Sequence, residues 1–327
     1  MLSLVHQTAM NGNQIARRPH RPAGQSFALG ALALAVLALF GGQAFGEAPI
    51  APPQVTASSV YVLNADTGRA LYQKNDGKPF MMLSITKLVT AYVLMQRMGG
   101  KLDDNVTITQ ADLVSGSTAG LRKSDVWTLE NLLYGMLLVS GNDAALAIAD
   151  HVGRSILAAE NKPGSSIKRF VQEMNIAATA LGAKNTQFAD PYGISPSDAS
   201  TARDVAVMGR TIFRDERLLR FWRCAQRTLN VGGPNARTVT ITSTVAMLGE
   251  PNILGAKTGS HVGKNIYNLV VAWRAPNGQT VVAVVLGAAD NPSRYSDMRA
   301  ILAALPHDFP ELAEPATASI AAVAACK

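Results

Sequence analysis

The stretch Leu83–Met98 reads LSITKLVTAYVLMQRM, sixteen residues with no Gly or Pro. Its length and apolar content predict a buried helix rather than a strand. Near its start, Ser84-Ile85-Thr86-Lys87 sets a hydroxyl and an amine three residues apart. Residues at i and i+3 share one helix face, so Ser Oγ falls within hydrogen-bond reach of the Lys nitrogen. Apolar surroundings disfavour the charged amine and lower its pKa. A neutral Lys takes the proton of a Ser hydroxyl and later returns it to a leaving amine. Ser84 and Lys87 are therefore a candidate nucleophile and general base.

The same spacing recurs at Ser165–Lys168, directly after Pro163-Gly164 and in polar surroundings. There the Ser reads as the cap of the helix that follows. A lone S-x-x-K is thus cheap, and the rest of the chain has to support the first one. Other nucleophile systems find little support. Of five histidines, His6 and His20 lie in the N-terminal segment and His307 near the C-terminus. His151 is expected at a helix end, where a positive side chain is a common structural choice. His261 alone sits beside a candidate loop. No Gly-x-Ser-x-Gly elbow is present, and no clustered ligands point to a metal. No cofactor is expected.

Working outward, Val60–Leu63 and Ala70–Tyr72 flank Asp66-Thr67-Gly68 and predict a hairpin. Thr128 is a good N-cap for a Leu-rich helix running toward Ser140, with Glu130 in its first turn. Further helices are expected over 143–152, 166–181 (stopped by Gly182) and 201–213. Past residue 235 the texture turns β-branched. Strands are expected at 238–241, 269–273 and 280–286, with Pro276-Asn277-Gly278 turning between the last two. A closing helix covers 293–305. Strands at both ends and helices between imply an α+β fold. One antiparallel sheet is built from both chain ends and covered by helices, with an all-helical subdomain inserted over about 100–235.

Two more short segments carry polar groups of interest. Ser140-Gly141-Asn142 joins two helices, where its side chains either project into a cleft or simply cap the second helix. Lys257-Thr258-Gly259 opens the late β region. On an edge strand its Lys and Thr would face a carboxylate, while Gly allows close backbone approach; the alternative is an exposed strand-to-turn passage. S-x-x-K, S-x-N and K-T-G in this order form the set found in penicillin-binding proteins and class A β-lactamases. Over residues 55–305 the chain resembles the low-molecular-mass D-alanyl-D-alanine carboxypeptidases, with their β-lactamase/transpeptidase-like fold. The opening Tyr61–Gly68, the segment Ser140–Ala145, and Leu181–Phe188 with Ser200–Asp204 carry the likeness besides the trio.

The resemblance implies roles residue by residue. Ser84 attacks the carbonyl of the penultimate D-alanine of a peptidoglycan stem peptide, and Lys87 is its base. Ser140 relays the proton to the leaving D-alanine. Asn142 holds the substrate amide and positions Lys87. Lys257 and Thr258, with Gly259 and Ser260 beside them, receive the terminal carboxylate. The backbone N–H groups of Ser84 and Ser260 form the oxyanion hole, each worth about 3 kcal/mol. β-Lactams are the expected inhibitors. Ser260-His261 departs from the family's usual His then Thr. A class A-like β-lactamase is disfavoured: no Glu-x-x-x-Asn lies between Ser140 and Lys257, and Gly141 stands where that class has Asp. A D,D-endopeptidase or transpeptidase shares the same acyl-enzyme and stays open, as does a non-catalytic envelope-binding protein.

Composition agrees with this reading. The 327 residues are 48% hydrophobic and 16% charged, enough for a large core. The net charge of +7 falls to +4 without residues 1–46, and aromatics make up only 6%. That balance describes a solvated basic surface, and no nucleic-acid partner is expected. Arg17-Arg18 and Arg21 precede an apolar run, Phe27–Phe40, then small residues. Residues 1–46 read as a signal peptide for export to the periplasm or cell envelope. The run is too short to span a bilayer. Residues 47–305 would be the catalytic domain and 306–327 a disordered tail. That tail has no basic amphipathic face, so no strong membrane anchor is expected after signal cleavage. Cys224 and Cys326 read as free thiols.

Overall fold

The computed structural model describes residues 53–305. Residues 1–46, read above as an export signal, the Pro/Ala-rich 306–327 segment with Cys326, and three of the histidines (His6, His20 and His307) lie outside the described residues. In chain order come β1 (Ser59–Asn64) and β2 (Ala70–Lys74), α1 (Lys87–Met98), β3 (Asn105–Thr107) and β4 (Val126–Thr128). Then follow α2 (Leu129–Leu138), α3 (Asn142–Ala159), α4 (Ser166–Ala180), α5 (Ala202–Ile212) and α6 (Glu216–Trp222). Strands β5 (Gln226–Val231), β6 (Arg237–Thr242), β7 (Ile253–His261), β8 (Ile266–Arg274) and β9 (Thr280–Ala288), and finally α7 (Asn291–Ala304), complete the fold.

The expected hairpin is β1–β2, and both chain ends build one antiparallel five-stranded sheet in the order β2-β1-β9-β8-β7. β8 and β9 alternate large aliphatic side chains between the two faces, and both faces are buried. One apolar core lies toward α1–α6, and a second lies under α7. The first strand is fixed to α7 by Asp297, whose carboxylate accepts from Thr56 N, Thr56 Oγ1 and Ala57 N at 2.8–3.1 Å. No described helix is long and apolar enough to cross a membrane.

Three local differences from the sequence reading have physical causes. The Leu83–Met98 helix begins with one 3-10 turn, Leu83–Thr86, before α1 proper. Leu83 holds φ +55°, a left-handed conformation unusual for Leu, so the turn is tightened at its start. The helix expected over 143–152 runs on to Ala159. Gly153 does not end it: a Cβ there would stand 2.0 Å from the Ser166 carbonyl oxygen, so this Gly lets α4 pack against α3. His151 is thus inside a helix rather than at its end, with Nε2 3.5 Å from Asp104. The stretch 100–235, expected all-helical, also carries β3–β4 and the start of β5–β6. Those ribbons are short or polar on their outer face, which hides their period-2 pattern.

Asp125 ties the two ribbons together. It is fully buried and accepts from Arg237 through both oxygens at 2.8 Å, from Trp127 Nε1 at 3.2 Å and from Arg122 N at 2.9 Å. Burial pushes its carboxyl up, but these hydrogen bonds outweigh burial and hold it below the usual range. Arg237→Ala would leave a buried carboxylate short of its cation. We expect a loss of about 3 kcal/mol in urea unfolding, largest above pH 4, where the carboxylate is ionised.

Candidate active site

Ser84 sits in the 3-10 turn and Lys87 is the first residue of α1. In a 3-10 turn, residues at i and i+3 eclipse, which aligns the two side chains more closely than an α-helix would. Lys87 Nζ stands 2.9 Å from Ser84 Oγ. The turn is clamped from the sheet side. Asn268 on β8 donates from Nδ2 to the carbonyls of Met81 and Met82 at 2.9 and 3.3 Å. Gly259 on β7 lies so close that a Cβ would be 2.4 Å from Met82 O and 3.3 Å from Ser84 N. Gly259 is therefore needed for the approach of β7 to the Ser84 segment.

The α2–α3 turn supplies the second group. Ser140 holds φ +61°, again a strained value for a residue other than Gly. Gly141, not Asn142, is the N-cap of α3, so the capping alternative for Asn142 does not hold. The Asn142 side chain instead accepts from Lys87 Nζ at 2.8 Å through Oδ1 and donates from Nδ2 to Ser115 O at 3.1 Å. The next residue, Asp143, accepts from the backbone N–H groups of Ala119 and Leu121 and from Thr118 Oγ1. This holds the 118–121 segment against the turn.

β7 is the edge strand, as expected for the K-T-G segment. Lys257 is fully buried and donates to Ser140 Oγ at 2.8 Å and to Thr258 O at 3.0 Å. Thr258 is buried and Ser260 exposed. Arg294 of α7 reaches Ser260 Oγ at 2.6 Å through Nη1, while its Nε is buried without a partner. No acid pairs with this guanidinium among the described salt bridges, so positive potential collects behind the end of β7. His261 Nδ1 accepts from Lys264 N at 3.2 Å and caps a short turn. Side-chain hydrogen bonds therefore join Ser84, Lys87 and Asn142 in one group and Ser140 and Lys257 in a second. Thr258, Gly259 and Ser260 run along the adjoining strand.

Burial and neighbouring cations act on both buried amines. Burial, first, and the Lys257 cation, second, hold Lys87 well below the ordinary Lys value, while Asp190 and Asp143 act in the opposite direction. Burial and then Arg294 lower Lys257 to about 7. Both amines are thus held below the ordinary Lys value, and each cation disfavours protonation of the amines near it.

Three participants were missed from sequence: the Tyr192 carbonyl, which accepts from Lys87 Nζ at 3.1 Å, Asp190 beside it, and Arg294. A main-chain acceptor has no residue-type signal, and Arg294 lies 37 positions beyond Lys257. Ser165, the rival nucleophile, caps α4 by accepting from Lys168 N.

Near this site Asp198 is buried, and one of its oxygens has no partner. Burial and then the charge of Asp190 raise its carboxyl to about 7. A raised acid pKa means the folded state resists ionisation, so stability falls as pH rises from the unfolded value of about 4 to about 7. Asp198→Asn removes this titration while keeping an acceptor for Ala189 N. Relative to the variant, the parent should lose thermal stability across that window and run parallel above it. Melting curves from pH 4 to pH 8 check this.

Residues 47–290 match the D-alanyl-D-alanine carboxypeptidase family over most of the chain. The chain belongs to this family. It is 30% identical to a D-alanyl-D-alanine carboxypeptidase of Streptomyces sp. K15, covering 81% of this chain and 93% of that one. It is 28% identical to the Bacillus subtilis carboxypeptidase DacF over 75% of this chain, and spans only 61% of DacF. The crystal structure of the Streptomyces K15 DD-transpeptidase superposes with a TM-score of 0.71 at 31% identity, over 78% of this chain and 98% of that one. Within the D-alanyl-D-alanine carboxypeptidase family, the fold and the order of the three motifs agree with the reading of the sequence.

Proposed function

We propose that the chain is a serine D,D-carboxypeptidase that removes the terminal D-alanine from peptidoglycan stem peptides and is acylated by β-lactams. The observation that carries this is a buried Lys87 whose amine meets Ser84 Oγ at 2.9 Å, with its pKa held well below the ordinary value by burial and then by Lys257. Lys87 Nζ takes the Ser84 proton as Oγ attacks the carbonyl of the penultimate D-alanine. The peptide C–N bond breaks, and the leaving amine collects a proton through Ser140. Water, deprotonated by Lys87, then releases the shortened peptide and frees Ser84. Lys257, Thr258 and the Ser260 end of β7 hold the substrate carboxylate, with Arg294 adding positive potential. The N–H groups of Ser84 and Ser260 serve the oxyanion, Gly259 lets β7 approach the Ser84 turn beside the carboxylate, and Asn142 holds the substrate amide.

Such a substrate lies outside the cytoplasmic membrane. Residues 1–46 fit an export signal and 47–305 the catalytic domain, with 100–235 as its inserted subdomain. The name of the Streptomyces K15 structure, a DD-transpeptidase, favours a second reading in which an amine replaces water as acceptor. Incubation with a monomeric pentapeptide, alone and with a glycine acceptor, followed by mass spectrometry, separates the two. Free D-alanine with a tetrapeptide product supports the carboxypeptidase; a glycine adduct alone supports transfer; no change in either refutes both.

A further inference from the structure

Lys87 Nζ has three neighbours: Ser84 Oγ at 2.9 Å, Asn142 Oδ1 at 2.8 Å and Tyr192 O at 3.1 Å. An ammonium would donate to all three. A neutral amine has two N–H bonds and one lone pair. The Asn142 and Tyr192 oxygens accept only, so they claim the two N–H bonds, and the lone pair is left facing the Ser84 hydroxyl. Without the Tyr192 carbonyl, the amine is free to turn an N–H toward Ser84 Oγ, which is the wrong orientation for a base.

What fixes that carbonyl is Asp190. Its Oδ1 accepts from Tyr192 N at 2.7 Å and Gly193 N at 2.5 Å, and its Oδ2 from Ile194 N at 3.0 Å and Ser195 N at 2.6 Å. Four successive N–H groups around one carboxylate form an anion-binding nest. The nested segment is docked on α1 and on the 3-10 turn before it at two further points. Thr90 Oγ1 donates to Pro191 O at 2.6 Å. Gly193, at φ +87°, lies where a Cβ would be 2.0 Å from Leu83 O.

We propose that Asp190 is a positioning residue for the Ser84–Lys87 pair: its caged carboxylate holds the Tyr192 carbonyl on Lys87 Nζ and so aims the amine's lone pair at Ser84 Oγ. This rests on Ser84 and Lys87 being nucleophile and base. Asp190 has a second, opposing effect through its charge. Lys257 from β7 lowers the affinity of Lys87 for a proton, whereas Asp190 and Asp143 of α3 raise it. Asp190 itself is faced by Tyr192 and by Asp198, whose proton is retained to about 7. Asp190 therefore trades some basicity control for orientation.

The test is the rate of acylation by a fluorescent penicillin from pH 5 to pH 9, for the full chain and for Asp190→Asn, Asp190→Ala and Ser84→Ala. Asp190→Asn keeps an acceptor oxygen in the nest and removes the charge. We expect the plateau rate to fall at least about tenfold in Asp190→Ala and less in Asp190→Asn. In both, the acidic limb should move to lower pH, because an anion that favours the protonated amine has gone. A plateau unchanged in Asp190→Asn and Asp190→Ala overturns the proposal. So does a reduced rate with an unmoved limb, which is what a purely structural role predicts. If Asp190→Ala does not fold, the Asp190→Asn limb decides alone. Label that survives Ser84→Ala overturns the underlying assignment; a Ser84-dependent label with neutral Asp190 variants overturns this inference alone.

Discussion

Ser84→Ala is expected to abolish acylation by penicillin and to lower D-alanine release by at least about 10⁴-fold, in line with the loss of other serine nucleophiles. The reason is positional as well as chemical. Lys87 Nζ has one hydroxyl within reach, at 2.9 Å, and its other two neighbours are carbonyl oxygens that offer nothing to deprotonate. Ala removes the nucleophile and leaves the clamp on Met81 and Met82 untouched, so the fold should survive. The control is Ser165→Ala. That Ser accepts from Lys168 N at the start of α4, and its loss should cost up to about 1 kcal/mol of stability with labelling unchanged. Gel fluorescence after incubation with a labelled penicillin reads both variants at once.

Lys257→Met should lower kcat/KM by about a hundredfold and change both limbs of its pH profile. The signs follow from the two amines. Lys257 is a cation that holds Lys87 below its ordinary value, second only to burial. Removing it raises the Lys87 pKa, so the acidic limb, which reports the loss of the Lys87 proton in the free enzyme, moves to higher pH. Lys257 itself is lowered to about 7 by burial and Arg294. In the parent enzyme its neutralisation weakens the grip on an anionic substrate and produces an alkaline limb, which should vanish in the variant. An acylated substrate lacking the terminal carboxylate should show the first change without the second. Met fills the buried volume, so a collapsed fold does not mimic the result. Profiles that keep both limbs in place would count against the coupling of the two lysines.

Much of the fold was legible because its decisive segments are locally unambiguous. The Asp66-Thr67-Gly68 turn, the Thr128 cap and the β-branched runs of β8 and β9 each point one way, and the structure agrees. Side-chain members of the site were legible for a different reason: three weak motifs in a fixed order restrict one another. What was hidden has no residue-type signal. The Tyr192 carbonyl acts through its main chain, and Asp190 acts through a nest that exists only once residues 192–195 have turned around it. The run of α3 past Val152 was hidden because the close packing that Gly153 permits cannot be read from a single helix. α6 is seven residues long, and Arg and Glu take up much of it. Its apolar stripe is too short to show a period.

The proposed chemistry requires Lys87 to be an uncharged amine at the pH of catalysis. Lysine labelled with ¹³C at the ε position, read by NMR over a pH titration and assigned with Lys87→Arg, measures this directly. Two ε-carbons should titrate well below the ordinary Lys value near 10.4, those of Lys87 and Lys257, and the one lost in Lys87→Arg should move upward in Lys257→Met. A Lys87 resonance that stays protonated past pH 10 would contradict the proposed chemistry.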